Sequence, residues 1–233
     1  AAAGKPLIPV NHLRGHIAAN YIAHPDLEPP FLCLVVSGGH THIIDVQDYT
    51  HFHVIGRTRD DAAGESFDKV ARSIGFPYPG GVNMDKVSGQ GNIHAYQFPH
   101  PKVDGSEFDL SFSGLKTYVI NLVHNAAQRG EEICREDLAA SFGHTVATIL
   151  CEKLFLAQQH TGRSLICLLF HCKHSFPCPL CGPLAVVFPV KNPLYAFFVQ
   201  KVVVYCSMVF QAVLPFGGIL PALDPYKVRR FLI

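Results

Sequence analysis

The stretch FLCLVVSGGHTHIIDV, residues 31–46, decides the fold. Two apolar runs, residues 31–36 and 41–46, flank a short corner, residues 37–40, with the sequence Ser-Gly-Gly-His. Runs of this kind on either side of a glycine turn predict a β-hairpin. The two glycines have two readings. They permit a tight turn, and they also allow a ligand, such as a phosphate, to come close to the backbone N–H groups.

The segments on either side of this hairpin alternate between strand and helix patterns, which predicts an α/β fold. The clearest of these patterns is the helix at 60–75, which has acidic residues at its start and Gly75 at its end. The predicted segments are a strand at 6–10, a helix at 11–23, a strand at 52–56, a helix at 60–75, a turn at 78–81, an extended segment at 108–114, and helices at 115–127 and 135–159.

Composition sets limits on the protein class. The chain has 233 residues and a formal net charge of +1, so it lacks the overall basic charge typical of nucleic-acid-binding domains. A nucleic-acid partner would need a local basic patch or another chain. The sequence begins at Ala1 with no pattern of a signal peptide, and we expect a fragment of a longer protein. Eight cysteines without a secretory signal indicate a reducing compartment, which predicts a cytoplasmic location.

The last 70 residues have a different composition. No acidic residue lies between positions 153 and 223, and the segment is rich in cysteine and proline. A globular surface normally carries both signs of charge, so this segment is not an ordinary continuation of the part before it. Two further readings are a zinc site, formed by His171, Cys172, His174, Cys178 and Cys181, and a membrane span at 202–223. Prolines and glycines near the end of 202–223 disfavour a regular helix, and we expect no membrane span.

Two histidines form the first candidate site. His12 and His16 are four residues apart on a predicted helix, so both imidazoles lie on one face and can share a metal ion. No glutamate follows His12, and the zinc-protease pattern is therefore absent. Surface or packing roles are the alternative for this pair.

Two polar groups near predicted helix starts form further candidates. Asp68 follows the apolar Phe67, which places its carboxylate at a cleft edge where it can accept ribose hydroxyls. The nearby acids Asp60, Asp61 and Glu65 fit complementation of the helix dipole. The second group, Ser111, Ser113 and Lys116, offers either an anion site or a helix cap.

Four segments in this order and spacing resemble one family: HLRGH, LVVSGGHTHII, RDDAAGESFDKVARSIGFPYPGG and FDLSFSGLKT. The chain resembles the universal tRNA threonylcarbamoyladenosine synthase subunit, formerly called O-sialoglycoprotein endopeptidase, over roughly residues 5–163. The resemblance implies the actin-like ATPase fold, in which two ribonuclease-H-like lobes enclose a nucleotide cleft. It also implies transfer of threonylcarbamoyl from threonylcarbamoyl-adenylate to N6 of the adenosine 3′ of the anticodon.

The same resemblance implies roles for particular residues. The substrate-binding positions are Val35, Val36, Ser37, Gly38, Gly39, Asp68 and Gly81. His12 and His16 match two ligands of a divalent metal, iron or zinc. No residue is assigned as catalytic. The implied partners are tRNA and the accessory proteins of the threonylcarbamoyladenosine synthesis complex, with ATP or ADP as further nucleotide ligands.

Some parts of the family pattern do not match. We expect the first lobe to precede Ala1, and the family segments GGV-x-x-N and G-D-N, the latter with the third metal ligand, are not found after residue 163. Asp224 lies in LDPYK and does not match. This break in the family pattern coincides with the loss of acidic residues, and we expect a frameshift, an unspliced segment, another sequence error or an unusual splice form. The expected organisation is the end of the first lobe at 1–25, the second lobe at 26–163 and an aberrant tail at 164–233. An incomplete, inactive transferase is the leading hypothesis; the alternatives are an actin-like kinase or ATPase and a non-catalytic partner-binding module.

Overall fold

The computed structural model describes residue 4, residues 9–171 and residues 184–189. Within these residues five strands form one sheet in the order β3-β2-β1-β4-β5. The strands are β1 (Phe31–Ser37), β2 (Thr41–Val46), β3 (Phe52–Arg57), β4 (Leu165–His171) and β5 (Leu184–Pro189). The helices are α1 (His12–Ala23), α2 (Ala63–Ser73), α3 (Gly80–Ser88), α4 (Ser113–Arg129) and α5 (Arg135–Thr161).

Strand β1 is the centre of the sheet, and all seven of its residues are buried. It pairs antiparallel with β2, with Phe31 opposite Val46, and parallel with β4, with Leu32 opposite Ile166. Successive side chains of a strand point to opposite faces of the sheet. A strand covered on both faces therefore reads as a continuous apolar run, which explains residues 31–36.

Two apolar cores cover the two faces of the sheet. The larger core includes Leu32 and Leu34 of β1 and packs them against helices α2 to α5, with Phe142 of α5 fully buried among them. The smaller core includes Cys33 and Val35 of β1 and Ile17 of α1. The described residues thus form a helix–sheet–helix arrangement, which confirms the predicted α/β class.

Most of the predicted elements are present. The hairpin is confirmed, and so are the strand at β3 and the helices at α1, α2, α4 and α5. Helix α1 begins at His12 because the Asn11 side chain caps it, with its Oδ1 accepting hydrogen bonds from the N–H groups of Leu13 and Arg14 at 3.0 and 3.2 Å. The strand predicted at 6–10 falls largely outside the described residues.

The turn predicted at 78–81 is wrong in extent, because helix α3 begins at Gly80. Gly80 lies against α2 so closely that a Cβ atom there would come within 2.5 Å of the Ala71 Cβ. Glycine at this position thus serves close packing of two helices in addition to a change of chain direction. Sequence reasoning missed helix α3 because Pro79, directly before it, and its first residues Gly80 and Gly81 are typical of turns.

Strand β4 continues the sheet beyond residue 163, where the sequence predicted the tail to begin. Cys167 of β4 lies opposite Cys33 of β1, and both side chains are buried. The division into two lobes and a tail stays a prediction, but β4 and β5 pair with the sheet on the far side of the expected boundary. The cysteine-rich zinc candidate and the segment 202–223 lie outside the described residues. Among the helices that the structure describes, none is long and apolar enough to cross a membrane.

Candidate metal and substrate site

Three histidines meet at the start of α1 and the corner, residues 37–40. The ligand nitrogens of His12, His16 and His40 all lie within 4.8 Å of one another. The Nε2 atoms of His12 and His16 are 3.0 Å apart. Two imidazoles on one tetrahedral zinc ion, at 2.0–2.1 Å each, have their nitrogens about 3.3 Å apart. The cluster is therefore close to the spacing that a shared metal ion requires, and the residues present fit a metal.

Burial is graded across this cluster. His16 is buried, His40 is half-buried and His12 is exposed. An ion held there would contact the protein on one side and remain open to a ligand on the other. This is the usual state of a metal that takes part in a reaction, since such a metal keeps one position free of protein ligands.

The side chain of Ser37 holds the corner in its conformation. Its Oγ accepts hydrogen bonds from the N–H groups of Gly39 and His40 at 3.3 and 2.9 Å. The Ser37 N–H donates to the His40 carbonyl at 2.7 Å. The N–H groups of Gly39 and His40, which the sequence suggested as phosphate donors, therefore already donate to this hydroxyl. These hydrogen bonds fix the backbone of His40.

The glycines of the corner do not serve a left-handed turn, because neither Gly38 nor Gly39 has a positive φ. A Cβ atom built on Gly39 would meet nothing within 4 Å. Neither backbone conformation nor internal packing thus requires glycine at position 39. The open space next to its Cα is the kind of cradle that a ligand can use.

Helix α2 docks directly on the corner. A Cβ atom on Gly64 would lie 2.9 Å from both the Cα of Gly38 and the carbonyl oxygen of Ser37. The hydroxyl of Thr41, just after the corner, accepts a hydrogen bond from the N–H of Ala63 at 2.9 Å and so caps the first turn of α2. The corner and α2 are therefore held in one fixed relation.

Asp68 lies one helical turn after Gly64 on the same helix face. Its Oδ1 accepts a hydrogen bond from the N–H of Gly81 at 3.1 Å, which ties the start of α3 to α2. A carboxylate has about four acceptor positions, and this contact uses one of them. The half-buried carboxylate of Asp68 can therefore accept further hydrogen bonds from a ligand.

Two other predicted substrate-binding residues, Val35 and Val36, have buried side chains. The side chains of Val35 and Val36 are buried in the two cores, on opposite faces of the sheet. Only their main-chain atoms remain for contact with a ligand. Ser37 is the last, buried residue of β1, and Gly38 and Gly39 follow it.

The second predicted anion site, at the start of α4, already contains a carboxylate. Asp60 accepts hydrogen bonds from the N–H groups of Phe112 and Ser113 and from the hydroxyls of Ser111 and Ser113. Asp60 is largely exposed, and its partial desolvation raises its pKa, but these hydrogen bonds outweigh that effect, so the pKa is lowered overall. The carboxylate of Asp60 therefore caps the start of α4, and Ser111 and Ser113 donate to it; they neither cap the helix themselves nor leave an anion site open.

His42 lies near the cluster but is not part of it. Its ring centroid is 5.8 Å from that of His40. Burial lowers the pKa of His42, and the neighbouring His40 and Arg57 lower it further. His42 is therefore a neutral imidazole at neutral pH.

Comparison with known proteins assigns the chain to a family. The family model TsaD, described as tRNA N6-adenosine threonylcarbamoyltransferase, matches residues 1–174. The chain belongs to this family. The fold of the family is the actin-like ATPase fold, in agreement with the resemblance drawn from the sequence motifs.

Curated relatives carry the same name. A tRNA N6-adenosine threonylcarbamoyltransferase of Clostridium botulinum (strain 657 / Type Ba4) is 54% identical over 156 residues, which cover 67% of this chain and 46% of that protein. One of Clostridioides difficile (strain 630) is 47% identical over 163 residues, which cover 70% and 48%. The chain thus spans about half the length of the curated relatives that it matches.

A search of solved structures matches component A of the (R)-2-hydroxyglutaryl-CoA dehydratase of Acidaminococcus fermentans. The identity is 12%, the TM-score is 0.41, and the match covers 86% of this chain and 65% of that chain.

Sequence reasoning did not identify His40 as a candidate ligand. Its distance to His12 and His16 depends on how α1 packs on the sheet, which no local pattern contains. The signal was its position directly after Ser37, Gly38 and Gly39, in a corner that was already suspected of binding a ligand.

Proposed function

We propose that this chain takes part in the threonylcarbamoyl transfer of its family. The reaction moves the threonylcarbamoyl group from threonylcarbamoyl-adenylate to N6 of the adenosine 3′ of the anticodon in tRNA. The observation that carries the proposal is the meeting of three histidines with an open glycine corner at the end of β1. Family membership favours the transferase over a kinase or ATPase of the same fold.

The substrate would lie along the corner and the adjoining face of α2. The open space at Gly39 would admit the adenylate close to the backbone, with main-chain atoms of residues 35–39 as its neighbours. The carboxylate of Asp68 would accept hydrogen bonds from ribose hydroxyls. Gly81 holds that carboxylate in place through its N–H.

His12 and His16, with iron or zinc between them, would form the metal site. Imidazole nitrogens suit both metals. When bound, such a metal supplies a Lewis acid near the negative charge that develops on the carbonyl and phosphate oxygens. We assign no residue of this chain as a general base, and much of the rate is expected from positioning the adenine amine against the carbonyl.

The first test is binding of the substrate. A non-hydrolysable sulfamoyl analogue of threonylcarbamoyl-adenylate is titrated into the metal-loaded chain by calorimetry. We expect Asp68→Asn to weaken its binding about 10- to 100-fold, the effect of losing one or two hydrogen bonds to a charged group. Asparagine can still accept the hydrogen bond from Gly81, so the fold is retained. Asp104→Asn, a change of the same charge in an exposed loop, is the control and should bind as the parent does.

The second test is the transfer itself. Threonylcarbamoyladenosine is measured by mass spectrometry in digested tRNA after incubation with threonylcarbamoyl-adenylate and the accessory proteins, with a full-length relative as the positive control. Product that depends on Asp68 would support the proposal. A folded chain that fails to bind the analogue would contradict it, and analogue binding without product would favour the non-catalytic module.

The proposed partners follow from the proposed reaction. They are tRNA and the accessory proteins of the threonylcarbamoyladenosine synthesis complex, and the proposed location is the cytoplasm. ATP or ADP in the same cleft would compete with the analogue, which a competition titration measures.

A further inference from the structure

We propose that His40 is a further protein ligand of the metal, beside His12 and His16, so that metal binding fixes the corner that receives the substrate. The inference deepens the proposed function and rests on it for the presence of a metal. It assigns a metal-binding role to a residue of the substrate corner, in addition to the His12 and His16 pair on α1.

The distances support three ligands in place of two. The ring centroids of His12 and His40 are 5.0 Å apart, and those of His16 and His40 are 6.4 Å apart. Among the residues that the structure describes, these three histidines are the only group of three potential ligands with such close donor atoms. His42, two residues further along β2, is outside the group.

The three ligands come from two different elements. His12 and His16 lie on the first two turns of α1, while His40 lies between β1 and β2. An ion bound to all three would therefore join α1 to the end of the hairpin. Three imidazoles with an open position are a common donor set for a zinc that acts in catalysis.

The hydrogen bonds of Ser37 carry this connection into the substrate corner. They fix the backbone of His40 relative to residues 37–39, so the side chain of His40 and the position of Gly39 are coupled. Gly64 packs against the same backbone and extends the coupling to α2, which carries Asp68. A metal held by His40 would thus order the substrate corner before the substrate binds.

Zinc affinity provides the first test. The metal-free full chain is titrated with Zn²⁺ against a chromophoric chelator, and a His12→Ala/His16→Ala variant defines binding elsewhere in the chain. We expect one zinc at this site and roughly a 100-fold loss of affinity in His40→Asn. A loss of that size is at least as large as those found for residues that only hydrogen-bond to the ligands of a metal. His42→Asn, on the neighbouring strand position, is the matched control and should retain the affinity of the parent.

Cobalt spectroscopy provides a test that does not depend on a loss of binding. In His40→Cys, a thiolate at position 40 would bond to Co²⁺ and add a sulfur-to-cobalt charge-transfer band in the near ultraviolet. The band is measured as a difference from the parent chain, whose native cysteines are the same, and His42→Cys should not add it. The absence of a new band in a folded, cobalt-binding His40→Cys variant would overturn the inference.

Amide hydrogen exchange tests the coupling. Adding Zn²⁺ should slow exchange of the Gly39 and His40 amides in the parent chain and not in His40→Asn, while the amide of Gly130, far along the chain at the end of α4, is unchanged in both. Metal binding at parental affinity in His40→Asn would overturn the ligand assignment, and unchanged exchange in the zinc-loaded parent would overturn the coupling. Failure of the transfer assay with these results intact would count against the proposed function alone.

Discussion

Two polar junctions of this chain look alike in sequence and differ in structure. The corner, residues 37–40, and the start of α4, residues 111–114, each combine serine and glycine with an apolar strand or segment, and each suggested an anion site. At the start of α4 the carboxylate of Asp60 accepts four hydrogen bonds and fills the position. At the corner the space beside Gly39 is open, and three histidines gather there.

The difference shows that residue types at a junction do not identify a binding site. A polar junction whose N–H and hydroxyl groups donate to an acceptor within the chain is a structural cap. One that keeps open space beside a cluster of metal-binding side chains is a candidate for function. The partner of the α4 junction lies about fifty residues earlier in the sequence, so only the tertiary structure separates the two cases.

The largest expected effect is at the contact between α2 and the corner. Gly64→Ala would place a Cβ atom 2.9 Å from backbone atoms of Ser37 and Gly38, and we expect it to lower the free energy of unfolding by about 2 kcal/mol. Gly114→Ala is the matched control, because Gly64 and Gly114 are each the second residue of a helix. A Cβ at 114 meets only the Pro101 Cγ, at 3.7 Å.

Urea unfolding of the two variants gives the comparison. Alanine is favoured over glycine within a helix, so Gly114→Ala should be neutral or slightly stabilising. Equal stability of the two variants would show that Gly64 of α2 is not in close contact with the backbone of the corner.

The next effect concerns the cap of α4. Asp60→Ala removes the acceptor for four hydrogen bonds and should lower the free energy of unfolding by about 1 kcal/mol, the usual cost of a lost helix cap. It should also uncover an anion site, since the helix start then presents unpaired N–H groups. Sulfate should raise the melting temperature of this variant more than that of the parent, at matched ionic strength. The same sulfate response in both chains would mean that Asp60 does not fill an anion site.

A smaller effect is expected from pH at the same cap. Hydrogen bonds lower the folded-state pKa of Asp60 below its unfolded value, which is near 3.9. The stabilisation is therefore complete above pH 3.9 and is lost as the pH falls through the lower folded-state pKa. Since Asp60 is solvent-exposed, the effect is on the order of 1 kcal/mol or less. The difference in unfolding free energy between the parent and Asp60→Asn should shrink between pH 4 and pH 2.5; a constant difference would contradict this assignment.

Local patterns predicted most of the elements and the pair of histidines. The hairpin follows from two apolar runs and a glycine corner, and α1 follows from its helical spacing. Asp68 and Gly81, separated by thirteen residues, are joined by a hydrogen bond, and the sequence motifs had placed them in one site. These features are encoded within short segments.

The remainder depends on contacts between distant segments. His40 joins the histidine cluster only through the packing of α1 on the sheet, and Asp60 caps α4 across about fifty residues. Helix α3 was missed because Gly80 and Gly81 are typical of turns, while Gly80 serves the close packing of α3 on α2. Strand β4 was assigned to an aberrant tail because the composition changes there, although it pairs with β1 along its length.

The smallest expected effect on stability is the most informative for the corner. Gly39→Ala adds a methyl group in open space at a residue without positive φ, so the free energy of unfolding should change by less than about 0.5 kcal/mol. The same methyl group would occupy space proposed for the adenylate and should weaken binding of the sulfamoyl analogue roughly tenfold. Gly105→Ala is the control, because its Cβ is equally unobstructed but its φ is +78°. That variant should lose about 1 kcal/mol of stability and bind the analogue as the parent does. If Gly39→Ala keeps both stability and affinity, the open space at the corner is not where the substrate lies.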